Sequence, residues 1–295
     1  MPDGVITKAL SGFYYVAPSD GGEIVSCRAR GKFRIDGVSP LVGDKVSYDE
    51  SGEGSGYVTS VHPRRNFFIR PAVANVDYLV LLCAAVNPVT DPFLVDRVAV
   101  IAEAAGCGVI ICINKCDMDR GNELYDIFST TGYKVIRTSA KTGEGVQELR
   151  EAIDGKIVAF TGNSGVGKSS LLNAIEPRFS LQTAEVSEKL GRGKHTTRHV
   201  ELFNVGDGTF IADTPGFASF ELTQMAPIMK EDLHNCFPEF EKYIGSCRFD
   251  DCAHLREPDC AVLKAVAEGT IHPSRHESYV KLYEICSQFK PWEQK

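Results

Sequence analysis

The run Gly162-Asn163-Ser164-Gly165-Val166-Gly167-Lys168-Ser169, with Ser170 next in line, fits G-x-x-x-x-G-K-S. In that pattern a glycine-rich turn lets backbone N–H groups wrap anionic phosphate oxygens at the start of a helix. The strand-like Ile157-Val158-Ala159-Phe160 precedes the run and the apolar pair Leu171-Leu172 follows it. This is the strand–loop–helix context the motif requires. Lys168 is expected to reach the β- and γ-phosphates, and Ser169 to place its hydroxyl on Mg²⁺.

A phosphate loop alone does not choose a base. Upstream, Asn114-Lys115-Cys116-Asp117 fits N-K-x-D. The Asp117 carboxylate can accept the paired N1–H and 2-amino hydrogen bonds of guanine, a donor pair that adenine lacks. Asn114 would hold the loop and approach N7, and the stem of Lys115 would cover the base. Thr138-Ser139-Ala140-Lys141 resembles the loop whose backbone N–H, here at Ala140, meets guanine O6. A site built from such polar pairs rejects the wrong base because its own groups would be left unpaired. Small GTPases carry N-K-x-D after the phosphate loop. Here it comes first, so the parts of a GTP site occur in circularly permuted order.

Downstream, Asp213-Thr214-Pro215-Gly216 fits D-x-x-G and follows the apolar Phe210-Ile211-Ala212. Asp213 is expected to hold Mg²⁺ through water, and the Gly216 N–H to sense the γ-phosphate. Between these motifs lies Gly191-Arg192-Gly193-Lys194-His195-Thr196-Thr197-Arg198, read as a first switch loop. One threonine, Thr196 or Thr197, completes the Mg²⁺ shell beside Ser169; the motif leaves the choice open, and Thr197 is assigned. Phe217 follows D-x-x-G where Ras-like proteins carry the glutamine that orients the attacking water. His195, polar and in the switch loop, is therefore the candidate for that task.

Cys247-x4-Cys252-x-His254-x5-Cys260 sets three thiols and an imidazole in one short loop. That donor set suits one tetrahedral, structural Zn²⁺. Cys236 and Cys286 are unassigned, and His234, His272 and His276 read as core or surface histidines.

The rest of the chain bounds the setting. Its 295 residues accommodate two or three domains, and a net charge of −7 argues against a protein that coats nucleic acid wholesale. Several of the ten cysteines (Cys83, Cys107, Cys112, Cys116) sit in apolar or motif segments, and the set does not look like a secreted disulfide pattern. The start, Met1-Pro2-Asp3-Gly4, lacks a signal sequence, and the longest apolar run, 78–86, is well short of the roughly 20 residues of a membrane span. The expectation is a cytoplasmic monomer with no membrane partner.

Short alternating runs broken by Gly, Pro and Asp in residues 1–70 predict a small β-barrel. Arg28, Arg30, Lys32 and Arg34 alternate, as side chains sharing one strand face would. They read equally well as a charged edge strand or as an RNA-facing surface. Residues 62–71 read as a linker. From 76 to 160 apolar strands alternate with helical spacing, predicting a parallel sheet flanked by helices. After Glu221 the pattern becomes mixed helix and loop.

Together the permuted order, G-N-S-G-V-G-K-S-S, G-R-G-K-H-T-T, D-T-P-G-F and the cysteine–histidine cluster resemble the RsgA (YjeQ, YloQ) family of bacterial GTPases that depend on the small ribosomal subunit. Ala9-Leu10-Ser11-Gly12-Phe13-Tyr14-Tyr15-Val16 and Pro40-Leu41-Val42-Gly43-Asp44 resemble that family's barrel. The resemblance implies an OB-fold over 1–70, a circularly permuted α/β P-loop GTPase domain over 71–220, and a mainly helical zinc-binding domain over 221–295. It further implies GTP and GDP as ligands, the small subunit and its rRNA as partners in late maturation, hydrolysis stimulated by that subunit, and a water-positioning role for His195. Two other readings use the same residues: a nucleotide-gated RNA scaffold, and a signalling GTPase with a protein partner.

Overall fold

The computed structural model describes residues 1–30, 33, 39–52, 54–69, 72–179, 200–213 and 228–289. Five strands open the chain: β1 (Asp3–Leu10), β2 (Phe13–Pro18), β3 (Val25–Ala29), β4 (Lys45–Gly52) and β5 (Ser55–Val61). A short hairpin follows, β6 (Phe67–Ile69) with β7 (Ala72–Ala74). Next come β8 (Tyr78–Ala84), α1 (Pro92–Ala104), β9 (Gly108–Asn114), α2 (Asn122–Ser129), β10 (Lys134–Arg137) and α3 (Val146–Ile153). Then β11 (Ile157–Gly162) leads to α4 (Lys168–Ile175), and β12 (Glu201–Gly206) pairs antiparallel with β13 (Thr209–Asp213). Two 3₁₀ turns, Leu233–Cys236 and Pro238–Tyr243, precede α5 (Ala261–Ala267) and α6 (Pro273–Cys286).

These elements form two compact units. One contains Met1–Leu79, Ile153–Phe160 and Gly191–Ser219. Its strands run β11-β13-β12-β1-β2-β3-β5-β4, and β1 also pairs with β4 to close a five-stranded barrel. Among the described barrel strands, β3 and β5 pair in parallel and the other pairs are antiparallel. Ile6, Val16, Val25, Cys27, Val46, Tyr48 and Val58 fill it, each from the inward phase of an alternating strand. β11 and β13 run parallel, Ala159 opposite Ala212.

The other unit contains Val80–Ala152, Thr161–Leu190 and Phe220–Lys295. Its strand order is β10-β9-β8, with β9 and β10 parallel. Both faces of β8 and β9 are buried, which explains their unbroken apolar runs. α1 begins at Asp91, whose carboxylate accepts the Phe93 N–H at 2.9 Å, with Pro92 in the first turn.

The structure corrects two sequence expectations. Within the stretch read as a linker, residues 62–69 are tied to their neighbours by side-chain bonds and by strand β6. Asp44 is fully buried and needs a cation, and Arg64 supplies it through Nε at 2.7 Å and Nη2 at 2.8 Å. Arg65 bonds to Asp77 at 2.8 Å, and Asp77 in turn accepts the Ile157 N–H at 2.8 Å at the start of β11. Nor do residues 28–34 form one alternating strand: β3 ends at Ala29, and Phe33 is helical and buried. The end of β3 at Ala29 and the helical backbone at Phe33 break the strand alternation. Lys32 and Arg34 lie outside the described residues.

Candidate functional site

Asn114 is the last residue of β9 and is buried. Its side chain joins three loops. Nδ2 donates to the Val166 carbonyl at 2.9 Å in the phosphate-loop motif. Oδ1 accepts from the Thr138 hydroxyl at 3.2 Å and from the Ala140 N–H at 3.3 Å, both in the loop after β10. The motifs far apart in the chain are thus brought together by one amide that uses both its donor and its acceptor ends.

The neighbouring residues continue this arrangement. Lys115 takes a left-handed backbone (φ 64°), and its ammonium donates to the Asn87 carbonyl. Asp117 accepts from the Ser139 hydroxyl at 2.7 Å, and Lys141 stands 3.9 Å from its other oxygen. The Thr142 N–H donates to the Ser139 hydroxyl at 3.2 Å, which fixes that side chain. The residues expected to read guanine, Asn114, Lys115, Asp117, Ser139, Ala140 and Lys141, therefore share one neighbourhood.

In the phosphate loop the glycines have distinct reasons. Gly167 has φ +95°, and a Cβ there would collide with the Asn114 amide nitrogen. At Gly162 an added Cβ would lie 2.6 Å from the Leu82 carbonyl oxygen. Val166 is buried and pins the loop, while Ser164 and Gly165 are exposed. Lys168, Ser169 and Ser170 form the first turn of α4, where N–H groups have no partner within the helix. Asp213 ends β13, opposite Glu201 on β12. The Asp213 side chain and residues Thr214, Pro215, Gly216, His195, Thr196 and Thr197 lie outside what the structure describes.

Cys247, Cys252, His254 and Cys260 converge, with all four ligand atoms within 4.8 Å of one another. The Cys247–Cys260 sulfurs are 3.9 Å apart, and His254 Nδ1 lies 3.5 Å and 3.4 Å from them. A tetrahedron with Zn–S of ~2.3 Å and Zn–N of ~2.05 Å has edges of about 3.8 Å and about 3.5 Å. The donor set fits that ion in chemistry, and the spacings among Cys247, His254 and Cys260 fit it in size. Burial lowers the His254 pKa, favouring the neutral imidazole that ligates metal. Burial also pushes the Cys252 thiol up to about 12, and a cation at the centre reverses that balance.

The histidines read as bystanders support this loop. His276 Nε2 lies 2.7 Å from the His254 carbonyl, and the Tyr279 hydroxyl donates to the Ala253 carbonyl at 2.8 Å. His272 caps α6, accepting the Ser274 N–H at 3.2 Å. One turn before Tyr279 on α6 lies Arg275, fully buried, which holds Glu239 through two nitrogens at 2.7 and 3.2 Å and also bonds to Asp96 of α1. Burial alone would lower the guanidinium pKa, but Asp96 and Glu239 outweigh it and raise it. Sequence spacing gave no sign of this triad, because its members lie on three separate segments.

On the barrel, Phe13 pairs with Arg28 and Arg28 with Tyr57. Directly paired residues share a face. The Arg28 guanidinium lies 4.6 Å from the Phe13 ring centroid, and Tyr57 is 44% exposed. Arg30 instead bonds to Asp49 at 2.6 Å, as a charged edge would. No described helix is long and apolar enough to cross a membrane.

Residues 61–223 match the RsgA GTPase family, and residues 3–58 match the RsgA N-terminal domain. The chain is 46% identical over 282 residues to the small ribosomal subunit biogenesis GTPase RsgA of Caldanaerobacter subterraneus subsp. tengcongensis, covering 95% of this chain and 94% of that protein. It is 43% identical over 300 residues to the protein of that name from Bacillus subtilis, covering 99% of both. The crystal structure of YjeQ from Thermotoga maritima matches with TM-score 0.84 and 36% identity over 98% of this chain and 99% of that one. The crystal structure of YloQ, described as a circularly permuted GTPase, matches with TM-score 0.82 and 38% identity over 99% and 96%.

Proposed function

The chain belongs to the RsgA GTPase family, whose activity is GTP hydrolysis, and we propose that it binds the small ribosomal subunit late in that subunit's maturation and leaves when GTP is cleaved. The subunit stimulates the hydrolysis. The observation that carries this reading is the Asn114 side chain, which joins the guanine-reading loops to the phosphate loop despite their permuted order.

In this reading Asp117 and the Ala140 N–H read guanine, and the stem of Lys115 covers it. Residues 162–170 hold the phosphates through backbone N–H groups and Lys168. Ser169, Thr197 or Thr196, and Asp213 are the residues that would hold Mg²⁺, which neutralises charge developing on the transferred phosphoryl. The Gly216 N–H senses the γ-phosphate. His195 orients the attacking water, the task Phe217 cannot perform. Cys247, Cys252, His254 and Cys260 hold one structural zinc. Residues 1–70 are the rRNA-contacting barrel, 71–220 the GTPase core and 221–295 the zinc-binding segment. The protein acts as a cytoplasmic monomer, away from membranes.

The test is GTP hydrolysis by the purified protein with small subunits, with large subunits and alone. Stimulation by the small subunit only is expected. Equal rates in all three, with GTP binding and zinc content intact, would overturn the reading. His195→Ala should keep GTP affinity, lose turnover and remain on the subunit with GTP. Unchanged release would favour a scaffold.

A further inference from the structure

Glu201 stands where three parts of the molecule meet. It is the first residue of β12 and closely follows the segment 191–198 in the chain. On one side it pairs with Asp213, the last residue of β13 and the first of D-x-x-G. On the other it pairs with Lys8 of barrel strand β1. The Lys8 ammonium donates to Glu201 Oε2 at 2.9 Å.

This joint is narrow. β1 pairs with β2 from Gly4 to Leu10 and with β4 from Asp3 to Val5, but among the described residues it meets β12 at the single pair Lys8–Glu201. The β1–β2 register shifts between Ile6 and Lys8, and Thr7 instead donates its hydroxyl to the Tyr15 carbonyl at 3.1 Å. Such an irregularity re-aims the neighbouring side chain, and the neighbour here is Lys8. One row of residues, Lys8–Glu201–Asp213, therefore runs from the barrel across β12 to the end of β13.

We propose that Lys8 and Glu201 are positioning residues for stimulated GTP hydrolysis: they carry the barrel's engagement of the subunit to β12 and β13, and so to the residues flanking both switches. This rests on the reading that the subunit stimulates hydrolysis. The logic is mechanical. A barrel held by its partner restrains β1, and β1 meets β12 at this pair. β12 starts just after the segment containing His195 and pairs with the strand that ends in Asp213. Glu201 needs no contact with nucleotide or RNA to act. Its effect is to fix where the two strands that bear the switches begin and end.

The experiment compares Lys8→Met, Glu201→Gln and the swapped double variant, Lys8→Glu with Glu201→Lys. Basal and stimulated hydrolysis are measured across a titration of small subunits, with zinc content and thermal unfolding recorded for each. In the single variants, basal turnover should stay within about twofold of the original, as for an ordinary surface substitution. Maximal stimulation should fall at least about fivefold, the lower end of ordinary coupling between sites. The half-saturating subunit concentration should not move, and the swap should recover most of the stimulation. Full stimulation in the single variants would overturn the proposal. So would a shift confined to half-saturation, or a loss that the swap leaves in place. An original protein that no subunit stimulates would overturn the proposed function itself, and this inference with it.

Discussion

Asn114 shows how much a single amide can organise. Asn114→Ala removes hydrogen bonds to Val166, Thr138 and Ala140 and leaves buried backbone groups without their partner. The expected cost is about 1–3 kcal/mol of stability, read by urea denaturation, with a clear loss of GTP affinity read by fluorescent-nucleotide titration. Unaltered affinity would show that the three loops hold their positions without it. Gly167→Ala should be worse for binding than for folding. Its φ of +95° and the close approach of the Asn114 nitrogen leave no room for a methyl group without displacing the phosphate loop. The motifs that the structure brings together were legible from sequence, because each is a particular set of residue types at a particular spacing. The bond from Asn114 to Val166 was not, since spacing along the chain says nothing about which carbonyl an amide will meet.

At the scale of elements, α6 does two jobs. Through His276 and Tyr279 it holds the cysteine–histidine loop, and through Arg275 it reaches α1. Arg275→Met would strand two buried carboxylates and should cost about 3–5 kcal/mol, seen as an earlier denaturation midpoint. Replacing Asp96, Glu239 and Arg275 together by apolar residues of similar volume should restore most of that loss, as expected when buried charge is the cause. Metal removal tests the other contact of the helix. A chelator, or Cys252→Ala, should release about one zinc per chain and lower the unfolding temperature, since binding energy at such a site is folding energy. Zinc content unchanged in Cys252→Ala would remove that residue from the ligand set. The cluster was visible in the sequence because its four members are local. Arg275 was not, because a buried arginine and a surface arginine look alike in a sequence until their partners are known.

For the whole molecule, the permutation places D-x-x-G at the end of the GTPase core, just before the segment that carries the metal cluster. That segment packs on α1 through a buried ion triad. The barrel offers the row Phe13–Arg28–Tyr57 to a partner. If that partner is rRNA, subunit binding should weaken steeply with salt, and Arg28→Ala should lower the slope of log affinity against log salt by about one. An unchanged slope would place the RNA contact elsewhere. What the sequence by itself determined is a set of motifs and their order: the G-x-x-x-x-G-K-S run, the N-K-x-D run placed before it, and the cysteine–histidine cluster. These are local patterns whose residue types are dictated by the groups they bind. The tertiary structure alone decided how the pieces are joined: Arg64 on Asp44, Arg275 between Asp96 and Glu239, and Lys8 on Glu201. Each is a long-range pairing of common charged residues, and such a pairing exists only once folding has chosen which strand lies beside which and which charge is buried with which.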